Sequence, residues 1–232
     1  MSCPRVFLVG TDTGVGKTAI ACALLHGAHA LGVRVLPYKP VQSSASDEPL
    51  DDAARLLAAS ANPDLRAEEI CALRFDVPLA PGLADDPSRF LEPAPSRDRA
   101  PLMRCRDALA QHATRHDPQL VLIEGAGGLW VPMPGGTWQP EWILALASHV
   151  VVVGRAGLGA INAALLTIDA LRAIDLDPVG FYLSETAPPD PSNAHNAAVI
   201  ARARALPHLG TLRHHGDDEL FSALLERTTS TR

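Results

Sequence analysis

Strand–helix alternation predicts an α/β fold: a parallel sheet of about seven strands flanked by helices on both faces, in one domain spanning residues 1–232. Three observations carry this. Short β-branched runs alternate with longer helical patterns, the order that βαβ units require. Several of those runs are apolar throughout, as strands covered on both faces must be. Aromatic residues make up 4% of the 232-residue chain while alanine and leucine are plentiful, which disfavours an all-β sandwich. Hydrophobic residues at 47% and charged residues at 20% are ordinary for a globular domain with a sizeable core.

Six strands can be placed: "VFLV" (6–9), "VRVLPY" (33–38), "LVLIE" (120–124), "VVVV" (150–153), "PVGFYL" (178–183) and "HLGTL" (208–212). Helical patterns occupy residues 18–31, 52–59, 102–114, 161–174, 195–206 and 217–227, and Gly32 stands where a helix C-cap is expected. The proline-rich stretch 75–101 reads as irregular chain over the sheet edge. In such sheets ligands bind at the carboxyl ends of the strands, so the residues after each strand are the ones to inspect.

The first such site is "VGTDTGVGKT". Glycine-rich backbone before a helix exposes consecutive N–H groups, and the helix N-terminus adds about half a positive charge. Lys17 supplies a full charge and Thr18 a hydroxyl suited to Mg²⁺, so Gly14, Val15, Gly16, Lys17, Thr18 and Ala19 form a polyphosphate cradle of the P-loop NTPase type. Five residues separate Gly10 from Gly16, one more than usual, and Thr11 holds the usual first-glycine position.

A nucleotide triphosphate arrives with Mg²⁺, which takes hard oxygen ligands. Glu124 ends an apolar strand at the same sheet edge, followed by Gly125, Ala126 and Gly127, small enough to let a ligand approach the backbone. Asp52 opens the helix "DDAARLLA" as a second carboxylate; a simple N-cap role is the alternative, and whether Asp51 or Asp52 faces the metal stays open. Lys39, after the second strand in "PYKPVQSS", is placed to stabilise a transferring phosphoryl group, with Ser43 as a substrate contact on the same loop.

Net charge is −6, with no basic excess to neutralise a nucleic-acid backbone. No apolar run approaches the roughly 20 residues of a membrane span. Four widely spaced cysteines without a CxxC pair, and an N-terminus leading straight into the glycine loop, read as reduced thiols in a cytoplasmic protein. The pairs His26/His29 and His214/His215 lack further ligands at metal spacing and read as surface histidines.

Taken in order, "VGTDTGVGKT", "YKPVQSS", "LVLIEGAGGLWVPM" and "GLGAINAALLT" resemble dethiobiotin synthetase, a P-loop enzyme family of biotin synthesis. The resemblance implies ATP-dependent ring closure of 7,8-diaminononanoate with CO₂ in a homodimer. By that resemblance, Lys17 holds the phosphates, Lys39 stabilises the phosphoryl group and the carbamate, and Thr18, Asp52 and Glu124 hold Mg²⁺. Thr13 and Ser43 face the diamine, Gly127 lets it approach the main chain, and Asn162 receives its carboxylate across the subunit interface. Asn162 also reads as a simple N-cap, and the two roles are compatible.

Three positions depart from the family pattern. Ser44 replaces a common glycine, Ser184 and Glu185 stand where an asparagine commonly reads adenine, and Arg213 stands where proline is usual. A serine lacks the paired donor and acceptor of an amide, so weaker discrimination among nucleotide bases is expected. A switch ATPase of the partitioning or septum-site type is the alternative. Thr11-Asp12-Thr13 lacks the additional lysine such proteins carry early in the loop, and the C-terminal helix opens with acidic Asp217, Asp218 and Glu219. No Asn/Thr-Lys-x-Asp guanine motif is present, and the chain leaves no room for the glutaminase domain of corrinoid-amidating enzymes.

Overall fold

The computed structural model describes residues 3–44, 51–93, 96–185, 190–213 and 220–229. The first apolar run forms β1 (Arg5–Gly10). Phe7, Leu8 and Val9 point alternately to opposite faces, yet all three are fully buried. Both faces of β1 are therefore covered, with α1 (Lys17–Ala30) and α7 (Gln139–Leu146) packed against it. The chain continues through β2 (Val35–Tyr38), β3 (Val41–Ser43), α2 (Asp52–Ser60), α3 (Ala67–Ile70), β4 (Leu73–Phe75), α4 (Pro81–Asp85), α5 (Ser88–Leu91) and α6 (Ala100–His116). Then follow β5 (Leu120–Gly128), β6 (Pro132–Met133), β7 (Thr137–Trp138), α7, β8 (His149–Arg155), α8 (Ala160–Arg172), β9 (Gly180–Ser184), α9 (Asn193–Arg204), β10 (His208–Leu212) and α10 (Leu220–Thr229).

The main sheet has six parallel strands in the order β10-β9-β8-β1-β5-β2. These correspond to the six strands placed from sequence; no seventh joins them among the described residues. β3 pairs with β4 and β6 with β7 in two-stranded ribbons instead. From β1 the chain crosses to β2 on one side, and from β5 it crosses to β8 on the other. The carboxyl ends of β1 and β5 thus sit at a change of direction, where a crevice opens.

Register decides what meets there. Tyr38 pairs with Ile123 and Leu8 with Glu124, so Lys39 leaves β2 level with Glu124. Gly32 at φ +68° closes α1 as expected for a glycine past the C-cap.

Several boundaries differ from the sequence reading. The third placed strand continues four residues past Glu124, so Glu124 lies inside β5 rather than at a turn. The stretch 75–101 is not wholly irregular, since it contains the short helices α4 and α5. The helix α7 was not anticipated, although Pro140 lies in its first turn and Glu141 Oε1 accepts the Trp138 N–H at 3.1 Å. Its Trp142 is fully buried and donates to Thr137 Oγ1 at 2.8 Å. Helix α10 spans 220–229; the acidic residues 217–219, like His214 and His215, lie outside the described residues. His26 and His29 are exposed on α1. No helix among the described residues is long and apolar enough to cross a membrane.

Candidate active site

The glycine loop joins β1 to α1 without a side-chain cap. Gly16 takes a left-handed conformation at φ +92°, and α1 begins at Lys17. The Lys17 ammonium folds back over the loop and donates to the carbonyl oxygens of Asp12 (3.1 Å) and Gly127 (2.7 Å). Burial is the largest influence on Lys17 and lowers its pKa to about 8, against the pull of nearby Glu124. Gly10 makes this seat possible, because a Cβ there would come within 2.6 Å of both Lys17 Nζ and Gly127 O.

Below the loop, four side chains converge, from α1, α2, β5 and the link between β2 and β3. Lys39 is 4% exposed and Glu124 1% exposed. Lys39 Nζ lies 2.7 Å from Glu124 Oε1 and 2.8 Å from Asp52 Oδ2. Burial by itself would lower the Lys39 pKa, but the two carboxylates outweigh it and hold it above the usual lysine value. Asp52 is the reciprocal case: burial pushes its carboxyl up, and Lys39 pulls it below the usual range. Thr18 Oγ1 lies 2.8 Å from both Asp52 Oδ1 and Glu124 Oε1, although its single proton can satisfy only one of them.

This is a set of hard oxygens held close together in excess of the protons available. Glu124 Oε2 is buried with no hydrogen-bond partner among the described residues. Such a set fits Mg²⁺. No group of three or more His, Cys, Asp or Glu among the described residues is arranged to hold a metal. A cation held here would have two carboxylates and a hydroxyl from the chain and would take its other ligands from phosphate and water.

Asp51 and Asp52 separate cleanly. Asp51 caps α2 by accepting the Ala54 N–H at 2.7 Å and pairs with Arg74. Asp52 is therefore free of the capping role, and its carboxylate meets Thr18 and Lys39.

A cavity of about 600 Å³ runs beside these groups. Thr13, Gly14, Gly16, Lys17, Thr18, Ala19, Lys39, Ser43, Asp52, Glu124, Gly125, Ala126 and Gly127 all line it. Val15 does not, because its side chain is buried in the core and only its backbone belongs to the loop. Ser43 Oγ donates to Leu79 O at 2.6 Å, tying the lysine loop to the proline-rich stretch, whose Pro78–Pro81 segment forms one wall.

Sequence reasoning missed Gln42, Arg55 and Val131 on the cavity wall, and Gln139 behind it. Gln42 Oε1 accepts the Ala53 N–H at 3.1 Å and so aims α2 at the cavity. Gln139, fully buried on α7, accepts from Ala126 N–H (2.8 Å) and donates to Gly128 O (2.7 Å), bracing the Gly125–Gly128 segment. The Gln-Pro-Glu start of α7 was the available signal.

Three further expected residues stand apart from the cavity. Ser184 is 6% exposed, with its hydroxyl packed under Gly16, where any Cβ would overlap it. Glu185 lies beyond it, 3.9 Å from Arg213 Nε. Asn162 is exposed and is the third residue of α8; Gly159 occupies the N-cap position, which corrects the N-cap reading.

The model of a family described as "AAA domain" matches residues 4–217. The chain is 40% identical over 215 residues to an ATP-dependent dethiobiotin synthetase of Anaeromyxobacter sp. (strain Fw109-5), covering 91% of both chains. It is 42% identical over 199 residues to one of Anaeromyxobacter dehalogenans (strain 2CP-C), covering 85% of this chain and 84% of the relative. Among solved structures, a chain of the MinC:MinD cell division protein complex of Aquifex aeolicus superposes with a TM-score of 0.52 at 10% identity. That match covers 95% of this chain and 86% of the other and concerns the fold alone.

Proposed function

The chain belongs to the ATP-dependent dethiobiotin synthetase family of P-loop NTPases, and from that premise we propose how its site works. It is an ATP-dependent ligase that forms dethiobiotin. The substrates of this reading are 7,8-diaminononanoate and CO₂ or bicarbonate, with ATP. One amine of the substrate, as its carbamate, attacks the γ-phosphorus. A carbamate oxygen–phosphorus bond forms as the bond to the ADP oxygen breaks. The second amine then attacks the carbamoyl carbon, expels phosphate, and closes the cyclic urea.

The observation that carries this reading is the seat of Lys39. A buried ammonium fixed between Glu124 and Asp52 cannot swing to solvent, so its charge is preorganised where carbamate and phosphoryl oxygens would meet. Backbone amides of Gly14 to Ala19 and the Lys17 ammonium would cradle the polyphosphate, with Gly125 and Ala126 alongside. Thr18, Asp52 and Glu124 would hold Mg²⁺, which when bound neutralises phosphate charge. Thr13, Ser43 and Gly127, on the same cavity wall, would face the diamine. Glu185, just past β9, would face the base, with Ser184 packed beneath the loop.

The enzyme of this reading is a cytoplasmic homodimer acting as one domain per chain. Asn162 and Leu166 share the outer face of α8, after Leu158, which is 88% exposed. That face would meet the partner's cavity and bring Asn162 to the substrate carboxylate. Sedimentation equilibrium should give a dimer; a monomer that turns over at full rate would remove this part.

The deciding measurement is product and phosphate release with Mg-ATP and bicarbonate, with and without the diamine, in wild type and Lys39→Ala. Release that needs the diamine, yields the cyclic urea and collapses in the variant is expected. Slow hydrolysis indifferent to the diamine would point instead to a switch ATPase.

A further inference from the structure

The fold places one buried carboxylate, Glu69, where the active site does not reach it. It is 6% exposed, on the four-residue helix α3, which has too few residues to be stable alone. Its Oε2 accepts the Arg66 N–H at 3.0 Å, closing the turn on itself. Its Oε1 faces three cationic or protonatable groups of α6: Arg115 at 2.9 Å, His116 Nε2 at 3.1 Å and His112 Nδ1 at 3.6 Å. Glu69 is thus the ionic peg that fastens α3 to α6.

What hangs from α3 is the Lys39 loop. The carbonyl of Ile70, the last residue of the turn, accepts the Lys39 N–H at 2.8 Å. Pro40 O accepts the Leu73 N–H at 3.2 Å, and the ladder continues as β3 pairs with β4. Helix α6 also grips the neighbours directly. Tyr38 Oη donates to Cys105 O at 2.7 Å, and Cys105 Sγ donates to Pro40 O at 3.5 Å. The residues on either side of Lys39 are therefore tied to α6 itself, while the Lys39 amide is held by α3.

We infer that Glu69 is a positioning residue for the reaction: by pinning α3 to α6 it fixes the Lys39 backbone, and with it the ammonium at the transferring phosphoryl group. This rests on the role given to Lys39 above. A shift of about 1 Å at such a group costs on the order of a hundredfold in rate, so a partial loosening should register in kcat.

The test uses Glu69→Ala, which removes the peg, and Arg115→Ala, which removes one of its partners and is the milder change should the first not fold. Turnover is normalised to active sites by stoichiometric ATP binding, so misfolded protein does not count. Amide exchange is followed by mass spectrometry over residues 36–41 and over β1 and β5. Glu69→Ala should lower kcat about tenfold or more, and Arg115→Ala by less, with the ATP KM little changed. Exchange at residues 36–41 should quicken while β1 and β5 stay protected. Unchanged kcat per active site, or exchange rising equally in the core strands, would overturn the inference and leave Glu69 a general stabiliser. Failure of the wild type to form the cyclic urea would instead remove the proposed function, and the exchange pattern alone would then decide whether Glu69 holds the loop.

Discussion

Replacing Lys39 by methionine keeps the aliphatic stem and deletes one charge from a buried triad. Wild-type Lys39 Nζ is 2.7 Å from Glu124 Oε1 and 2.8 Å from Asp52 Oδ2. Asp52 has enough exposure for water to compensate much of the loss. Glu124 does not: at 1% exposure it keeps only the Thr18 hydroxyl and a distant share of the Lys17 charge. Removing one partner of a buried pair costs about 3–5 kcal/mol, and the nearby Lys17 places this case at the lower end. For a chain of this size that is a fall in Tm of about 6–12 °C. The rate should fall further than stability alone explains, by about 100- to 1,000-fold in kcat, as when a fixed donor to transition-state charge is removed. The ATP KM should change little, because Lys17 and the loop amides are untouched. The assays are thermal unfolding at neutral pH and dethiobiotin formation. Adding Glu124→Gln to Lys39→Met should recover part of the stability, by neutralising the stranded charge, without recovering activity. A Tm and kcat close to wild type in Lys39→Met would refute the preorganised-charge argument. A double variant no more stable than the single would refute its electrostatic cause.

The two adjacent aspartates should part company on substitution. Asp51→Ala should cost about 1 kcal/mol in stability, the worth of an N-cap, with most activity kept, whereas Asp52→Ala should abolish turnover. Equal activity losses in the two variants would contradict the division seen at α2. Lys17 has its pKa held at about 8 by burial, and bound phosphates favour its charged form. ATP affinity should therefore be full below about pH 8 and decline above it, with proton uptake on binding in the alkaline range. Calorimetry in buffers of different ionisation enthalpy checks this, and pH-independent affinity with no proton uptake would count against it. With Ser184 in place of an amide beside the loop, CTP and GTP should support turnover at rates comparable to ATP; strict ATP dependence would end that expectation.

The strand–glycine–Lys17-Thr18–helix unit was legible because its geometry is local: backbone N–H groups, a left-handed Gly16 and a helix start lie within one short stretch. Glu124 was legible by its place at the end of an apolar run, and Lys39 by following the second strand. Asp51 against Asp52 was not, because cap and ligand need the same residue type, and the choice depends on where α2 points. That direction is set partly by Gln42, on another element. The bracing role of Gln139 was hidden with α7, since one turn of polar and aromatic residues carries no clear period before an apolar run. Asn162 was placed correctly near the start of a helix, yet its exposure, away from its own cavity, follows only from the packing of α8.

The sequence by itself determined the α/β class, the phosphate cradle and the identity of most groups around it, since each depends on residue type and near-neighbour spacing. Tertiary structure alone decided that Lys39 is buried between two carboxylates, that Thr18 shares both, and that the Lys39 backbone is held through Glu69. Those relations join residues 13 to 106 positions apart. They exist because parallel strand register sets Tyr38 opposite Ile123, a constraint that no local propensity encodes.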